Sequence, residues 1–267
     1  MPYKRILTIQ DISCVGQCSL TVALPVLSAM GCAAAALPTA VLSTHTAFPT
    51  PHVRSLTEDI SKVCDHWKTV GVSFDAVSIG YLSDPQQAKQ VEYLLDSFPA
   101  FTVVDPVMGD HGKRYSGIGE DHVAAVKQLC KRADVILPNI TEACLLTGIS
   151  YRESGDEAYY QSLLEGLKPL ASHAVLTGVS LADGKTGIMT DSGFVYQRAA
   201  LPGRFHGTGD IFAAVFTGAA ASGKTVEESA KLAALFVEQV ILSTPAPTPF
   251  GVSFEKALPW LWQQLNG

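Results

Sequence analysis

Gly207, Thr208, Gly209 and Asp210 stand in a row, and an apolar run rich in small residues begins at Ile211. Glycines on both sides of Thr208 let backbone N–H groups converge on an anion with no Cβ in the way. Residues 211–221 read as a buried helix whose positive N-terminal end faces the same anion. A carboxylate at that end, Asp210, suits a general base that takes a proton from a hydroxyl nucleophile. Together these residues predict phosphoryl transfer to an alcohol. The same stretch also fits an ordinary loop before a capped helix, because glycine motifs recur widely. The elements that would have to position these groups decide between the two.

Those elements alternate. Strands are expected at residues 5–9, 32–42 (broken at Pro38), 76–79, 101–104, 135–137, 174–176 and 186–189. Helices are expected at 19–30 with Gly31 as its stop, and at 57–70 with Thr57 as N-cap. Others follow from Ser83-Asp84-Pro85 and at 120–131, 211–222, 226–243 and 254–265. Strands separated by helices predict an α/β fold with a mostly parallel sheet and helices on both faces. Such sheets hold ligands beyond the carboxyl ends of their strands. Polar residues collect there in turn: Asp11 and Ser13, then Thr44, His45 and Thr46, then Gly80-Tyr81. Next come Asp105 to Asp110, Pro138-Asn139-Ile140-Thr141-Glu142, and Thr177-Gly178.

Composition bounds the reading. The chain has 267 residues, 47% hydrophobic and 16% charged, enough for a substantial core. No Pro/Ser/Gly-rich linker and no repeat divides it, so residues 1–267 are expected to form one domain. A net charge of −6 argues against non-specific nucleic-acid binding. No apolar run spans a bilayer, and Tyr3-Lys4-Arg5 leads into a strand rather than a signal peptide. A cytoplasmic protein acting on small molecules is expected, with neither nucleic acid nor membrane as partner. The six cysteines are scattered, and Cys14 and Cys18 lack further soft ligands for a zinc site. Reduced, mostly buried thiols are expected.

Three of the polar clusters, Gly207-Thr208-Gly209-Asp210, Asp105-Pro106-Val107-Met108-Gly109-Asp110 and Pro138-Asn139-Ile140-Thr141-Glu142, resemble signatures of the ribokinase superfamily, in that order. Ile9-Gln10-Asp11 followed by Gly16, then Ser43-Thr44-His45-Thr46, then Gly80-Tyr81, resemble its pyridoxal (vitamin B6) kinase branch. The resemblance covers nearly the whole chain. It implies a ribokinase-like three-layer sandwich, a homodimer, and ATP-dependent phosphorylation of the 5′-hydroxymethyl group of pyridoxal, pyridoxamine or pyridoxine.

It also implies roles. Asp210 matches the catalytic base, with Gly207, Thr208 and Gly209 as the anion hole. Asp105 and Glu142 match acidic positions associated with Mg²⁺ and the triphosphate, and a monovalent cation such as K⁺ is a further expectation. Asp110, Tyr115, Asn139 and Thr177 match ATP-contacting positions. His45, Thr46 and Tyr81 match the pyridine pocket. Elementary chemistry agrees, since carboxylates at Asp105 and Glu142 can hold Mg²⁺ directly or through water. Read alone, Glu142 also suits a helix start, Asp105 a turn, Tyr81 a core position and His45 a satisfied loop histidine.

The chain departs from the pattern at Asp11, where the resembling family usually has a serine facing the ring hydroxyl. An ionised carboxylate there is expected to favour pyridoxamine over pyridoxal. Leu137 replaces a small or hydroxylated residue. The cation for the γ-phosphate is open among Lys113, Arg114, Lys185 and Arg204. Hydroxymethylpyrimidine kinase is the alternative within the superfamily, and a non-catalytic vitamer-binding protein the alternative of another class. A nicotinamide dehydrogenase is disfavoured, because Cys14-Val15-Gly16-Gln17 stands where a Gly-x-Gly-x-x-Gly turn belongs.

Overall fold

Apolar residues alternate along the strands and send neighbouring side chains to opposite sides of one sheet. Ile6, Ala76, Val103, Val135, Val175 and Ile188 enter one core, whereas Leu7, Val77, Val104, Ile136, Leu176 and Met189 enter the other. The computed structural model describes residues 3–182, 184–203 and 205–266. In chain order the elements are β1 (Arg5–Ser13), α1 (Leu20–Ala29), β2 (Ala33–Leu42), β3 (Val53–Ser55), α2 (Thr57–Thr69), β4 (Ala76–Ile79) and α3 (Pro85–Ser97). Then come β5 (Phe101–Val104), the hairpin strands β6 (Gly109–Asp110) and β7 (Lys113–Arg114), α4 (Glu120–Cys130), β8 (Ala133–Ile136), α5 (Ile140–Thr147) and α6 (Glu157–Leu167). The rest are β9 (Ala171–Val179), β10 (Lys185–Thr190), β11 (Val195–Ala199), α7 (Thr208–Ala221), α8 (Val226–Ser243), a 3₁₀ turn at Phe254–Ala257, and α9 (Leu258–Asn266).

The main sheet has the order β11-β10-β9-β8-β5-β4-β1-β2-β3. Its six central strands are parallel, and β3, β10 and β11 add antiparallel edges. Helices α1, α7, α8 and α9 cover one face, and α2, α3, α4 and α6 the other. The result is the expected three-layer α/β sandwich.

Several local expectations need correction. β1 does not end at Ile9 but runs to Ser13, so Asp11 and Ser13 lie within the strand. β2 is not broken at Pro38. Pro38 pairs with Gln10, and the register slips between Gln10 and Ile12 instead. A proline cannot donate to the ladder, and an irregularity beside it re-aims the neighbouring side chain, here Asp11. Thr57 is the first residue of α2 rather than its cap, a place taken by Leu56 with no side-chain bond. The last helix begins as a 3₁₀ turn. β3, β6, β7, β11 and α6 were not expected. By contrast, Asp84 caps α3 through the Gln86 N–H at 2.8 Å, with Pro85 following. Gly31 follows α1 at φ +79°. All six cysteines are free, and all but Cys14 are buried.

Candidate active site

The chain leaves β1 for β2 on one side and reaches β4 on the other, so the strand order reverses at β1. A crevice opens at the carboxyl ends of strands around such a switch point. A cavity of about 1120 Å³ lies there. It is lined by Asp11 and Ser13 of β1, His45 and Thr46 after β2, Tyr81 after β4, Asp105 after β5, and Asn139 after β8. The hairpin residues Asp110 and Lys113, with Tyr115, and the turn Gly207 to Asp210 complete the wall, with Glu142 of α5 and Thr177 of β9. The structure therefore gathers all the predicted site residues in one place.

The turn before α7 is set by glycine. Gly207 adopts φ +85°, and a Cβ there would lie 2.0 Å from the Gln17 carbonyl oxygen. The first intrahelical bond runs from Ile211 N–H to Gly207 O at 3.1 Å. The N–H groups of Thr208, Gly209 and Asp210 are thus without an intrahelical acceptor and form an anion-binding end. The Thr208 hydroxyl turns back to the Phe205 carbonyl at 3.2 Å, so Thr208 offers its backbone rather than its side chain.

Asp210 is half-buried in the cavity wall. Burial pushes its carboxyl from 3.8 up to about 7, with Asp11 adding to the rise and the Ser19 N–H opposing it. Asp105 is raised in the same direction, first by burial and then by Asp210. Its Oδ2 faces the turn, 4.0 Å from where a Cβ on Gly209 would lie. Glu142 is buried and raised well above the usual range, by burial and then by Asp105. Asp210 raises Asp105 and Asp105 raises Glu142, so the three carboxyls repel one another's ionised forms, a repulsion that a cation relieves.

Glu142 carries structural duties as well. Its Oε2 accepts the Asn139 N–H at 2.9 Å while Asn139 Oδ1 accepts the Glu142 N–H at 3.0 Å, a reciprocal cap on α5. Its Oε1 accepts the Met108 N–H at 3.1 Å. The Asn139 amide donates to Gly109 O at 2.8 Å and so ties α5 to the hairpin. The hairpin turns through His111 at φ +49° and Gly112 at φ +74°. Gly112 N–H donates to Thr141 Oγ1 at 2.8 Å. Tyr115, kept protonated by burial and by Glu142, follows the hairpin on the cavity side.

At the ring pocket, backbone groups hold the His45 imidazole. Its Nε2 lies 2.7 Å from the Pro249 carbonyl oxygen and therefore carries hydrogen, and its Nδ1 accepts the Ala47 N–H at 3.3 Å. Both nitrogens are engaged, so His45 presents a ring face, packed 4.9 Å from Phe48 and 5.3 Å from His206 between centroids. Asp11 is buried, and its two oxygens accept Ser13 Oγ at 3.0 Å and Ser19 Oγ at 2.6 Å.

Of the four cations left open, Lys113 lines the cavity, Arg114 pairs with Glu120, and Lys185 lies outside the lining. Arg204 falls outside the described residues. Cys18, Ser19 and His206 also line the cavity and were missed, and Ser13 was seen only as a loop residue. The two-residue spacing of Asp11 and Ser13 puts both on one strand face and could have paired them. Ser19 had no such signal.

A family model described as phosphomethylpyrimidine kinase matches residues 22–251. The pyridoxal kinase of Lactobacillus plantarum superposes with a TM-score of 0.90 at 36% identity, over 98% of this chain and 97% of its own. A Bacteroides thetaiotaomicron protein of the phosphomethylpyrimidine kinase type, in a crystal form with pyridoxal, gives 0.91 at 32%, over 97% and 96%. The pyridoxine/pyridoxal/pyridoxamine kinase of Bordetella pertussis is 30% identical over 259 residues, 90% of this chain and 89% of that protein. With the switch-point crevice, the glycine turn and Asp210 in place, the chain belongs to the phosphomethylpyrimidine kinase family, among the ribokinase-like kinases of vitamin B6.

Proposed function

We propose that the protein transfers the γ-phosphoryl group of ATP to the 5′-hydroxymethyl group of a B6 vitamer, with Asp210 as base. The observation that carries this reading is the Asp210 carboxylate, raised to about 7 at the N-terminus of α7. A base with that affinity is poised to take a proton near neutral pH. The vitamer ring packs between the His45 face and Tyr81, with its hydroxymethyl group at Asp210. The alkoxide attacks the γ-phosphorus in line, and the N–H groups after Gly207 hold the developing charge. The apolar end of the cavity, with Phe212, Ala234, Val237 and Ile241, takes the base of the nucleotide. Lys113 reaches the triphosphate from the hairpin.

Asp105 and Glu142 offer the oxygen donors that Mg²⁺ takes, and they would hold the ion together with the triphosphate. Glu142, whose oxygens already accept N–H groups, would act through water. Bound there with ATP, the ion would neutralise phosphate charge. A homodimer is part of the same reading, with Leu242 of α8 and Trp262 of α9 as exposed apolar surface for a second copy.

The test is ADP release with pyridoxal, pyridoxamine, pyridoxine and hydroxymethylpyrimidine, with and without Mg²⁺ and K⁺. Turnover of the vitamers above hydroxymethylpyrimidine is expected. Preference for hydroxymethylpyrimidine reverses the assignment. Vitamer binding without ADP release makes the chain a binding protein.

A further inference from the structure

Gln87 stands in the first turn of α3 and is fully buried. An amide shut off from water must find partners, and one that has found them fixes the groups around it. Here the partners come from three segments. Gln87 Oε1 accepts the Ser83 N–H at 2.8 Å, and Gln87 Nε2 donates to Thr39 O at 2.8 Å and to Thr57 Oγ1 at 3.0 Å. A backbone N–H on one side and a carbonyl on the other admit one orientation of the amide. Thr39 is also fully buried, and its hydroxyl donates to Tyr81 O at 2.9 Å. β2 holds one residue more than β1 between the pairs Pro38–Gln10 and Val41–Ile12, so Thr39 sits in a bulge. A bulge frees a residue from the ladder and re-aims it. Gly80, just before Tyr81, is fixed from β1: its N–H donates to Ile9 O at 2.9 Å, and a Cβ there would lie 2.6 Å from Gln10 Oε1. The loop that carries His45 leaves β2 and returns as β3, two residues before Thr57. Its base is closed by the Ser43 N–H, which donates to His52 O at 2.9 Å.

We propose that Gln87 is a positioning residue for the ring pocket, acting on Tyr81 with Thr39 as its intermediary. Gln87 holds the Tyr81 segment twice, directly at Ser83 and by way of Thr39 at Tyr81. Its bond to Thr57 ties the same amide to the end of the His45 loop. The distance between the Tyr81 wall and the His45 face is thereby set from outside the pocket. Gln87 is not part of the cavity lining, so its effect on substrate passes through these bonds. The inference rests on the reading that the vitamer ring packs between His45 and Tyr81.

The experiment is steady-state kinetics on pyridoxal, with thermal melting, of Gln87→Met, Thr39→Val, Thr39→Ser, Tyr81→Ala and the Gln87→Met/Tyr81→Ala double variant. Gln87→Met keeps the length of the side chain without its hydrogen bonds, and KM for pyridoxal is expected to rise about fivefold to twentyfold. KM for ATP and kcat at saturating pyridoxal stay within about threefold, because the nucleotide end and Asp210 are untouched. Thr39→Val repeats this pattern, whereas Thr39→Ser, which keeps the hydroxyl, stays within about twofold of wild type. The double variant shows the KM of Tyr81→Ala alone, because Gln87 acts through Tyr81. A general loss of packing lowers melting temperature or kcat without singling out KM for the vitamer. Wild-type KM for pyridoxal in Gln87→Met and Thr39→Val overturns the proposal. So do equal rises in both KM values, a Thr39→Ser variant as impaired as Thr39→Val, or full multiplicativity with Tyr81→Ala. Should Gln87→Met not fold, Thr39→Val against Thr39→Ser decides by the same KM values. If Tyr81→Ala itself leaves KM for pyridoxal unchanged, the ring-pocket reading fails and takes this inference with it. If Tyr81→Ala raises it while the Gln87 and Thr39 variants are normal, only this inference fails.

Discussion

Replacing Asp210 by asparagine should make the unliganded protein more stable while removing its activity. Burial raises the folded-state carboxyl from 3.8 to about 7, which corresponds to about 4 kcal/mol of ionisation cost. Below pH 3.8 the group is protonated in folded and unfolded chains alike, and the cost is absent. As pH rises toward about 7 the unfolded chain ionises first, so stability falls; above that the full cost is present. Asparagine keeps the shape but cannot ionise. We expect Asp210→Asn to exceed wild type by about 2–4 kcal/mol at pH 8, or about 5–10 °C in Tm, and to converge with it in acid. Asp105, raised partly by Asp210, retains a smaller slope in the same direction. Scanning fluorimetry from pH 5 to pH 8.5 without nucleotide reads the stability, and ADP release reads the activity. Turnover should fall by about two to four orders of magnitude with ATP binding intact. Equal stability of the two proteins at pH 8 would refute the burial argument, and near-normal turnover would remove Asp210 from the mechanism.

Other consequences follow from the same geometry. Asp105→Asn should raise the Mg²⁺ needed for half-maximal rate by about tenfold with vitamer affinity nearly unchanged; an unaltered Mg²⁺ titration counts against the assignment. Glu142→Ala leaves the Met108 and Asn139 N–H groups without their acceptor, and urea unfolding should show a loss of about 2–4 kcal/mol. Lys113→Ala, on an exposed hairpin, should raise KM for ATP about tenfold while Tm stays within about 1 °C; no change in KM leaves the γ-phosphate without this partner. Asp11→Ser removes the acceptor of the Ser13 and Ser19 hydroxyls and should lower Tm by a few degrees with the pyridoxamine-to-pyridoxal ratio of kcat/KM unchanged, whereas a falling ratio would give Asp11 the expected part in substrate selection. Gly207→Ala drives a Cβ toward Gln17 O at φ +85°, and we expect about 2–4 kcal/mol of destabilisation by the same unfolding assay.

The comparison between sequence and structure divides along the range of the interactions. Short-range patterns carried α1, α3, α7 and α8, because capping and hydrophobic periodicity act within a few residues. They missed α6, although Asp156 caps it by accepting the Tyr159 N–H at 2.8 Å. They also missed the hairpin β6–β7, whose strands of two residues each have no periodicity to read. The end of β1 was misplaced for a related reason. Asp11 and Ser13 look like loop residues, and only pairing with β2 across the slipped register makes them strand.

The sequence by itself determined the alternation that builds a parallel sheet, the glycine turn before a buried helix, and the set of polar residues at the strand ends. Those are consequences of backbone sterics and burial along the chain, so they are written locally. Tertiary structure alone decided which of those polar groups are available for chemistry. His45 gives both nitrogens to the backbone of the loops around it, and Glu142 closes a cap before it faces the cavity. Ser19 meets Asp11 only when α1 packs beside β1. Desolvation, too, is a property of the fold: burial in the cavity wall, and then the Asp11 charge from β1, raise the Asp210 carboxyl.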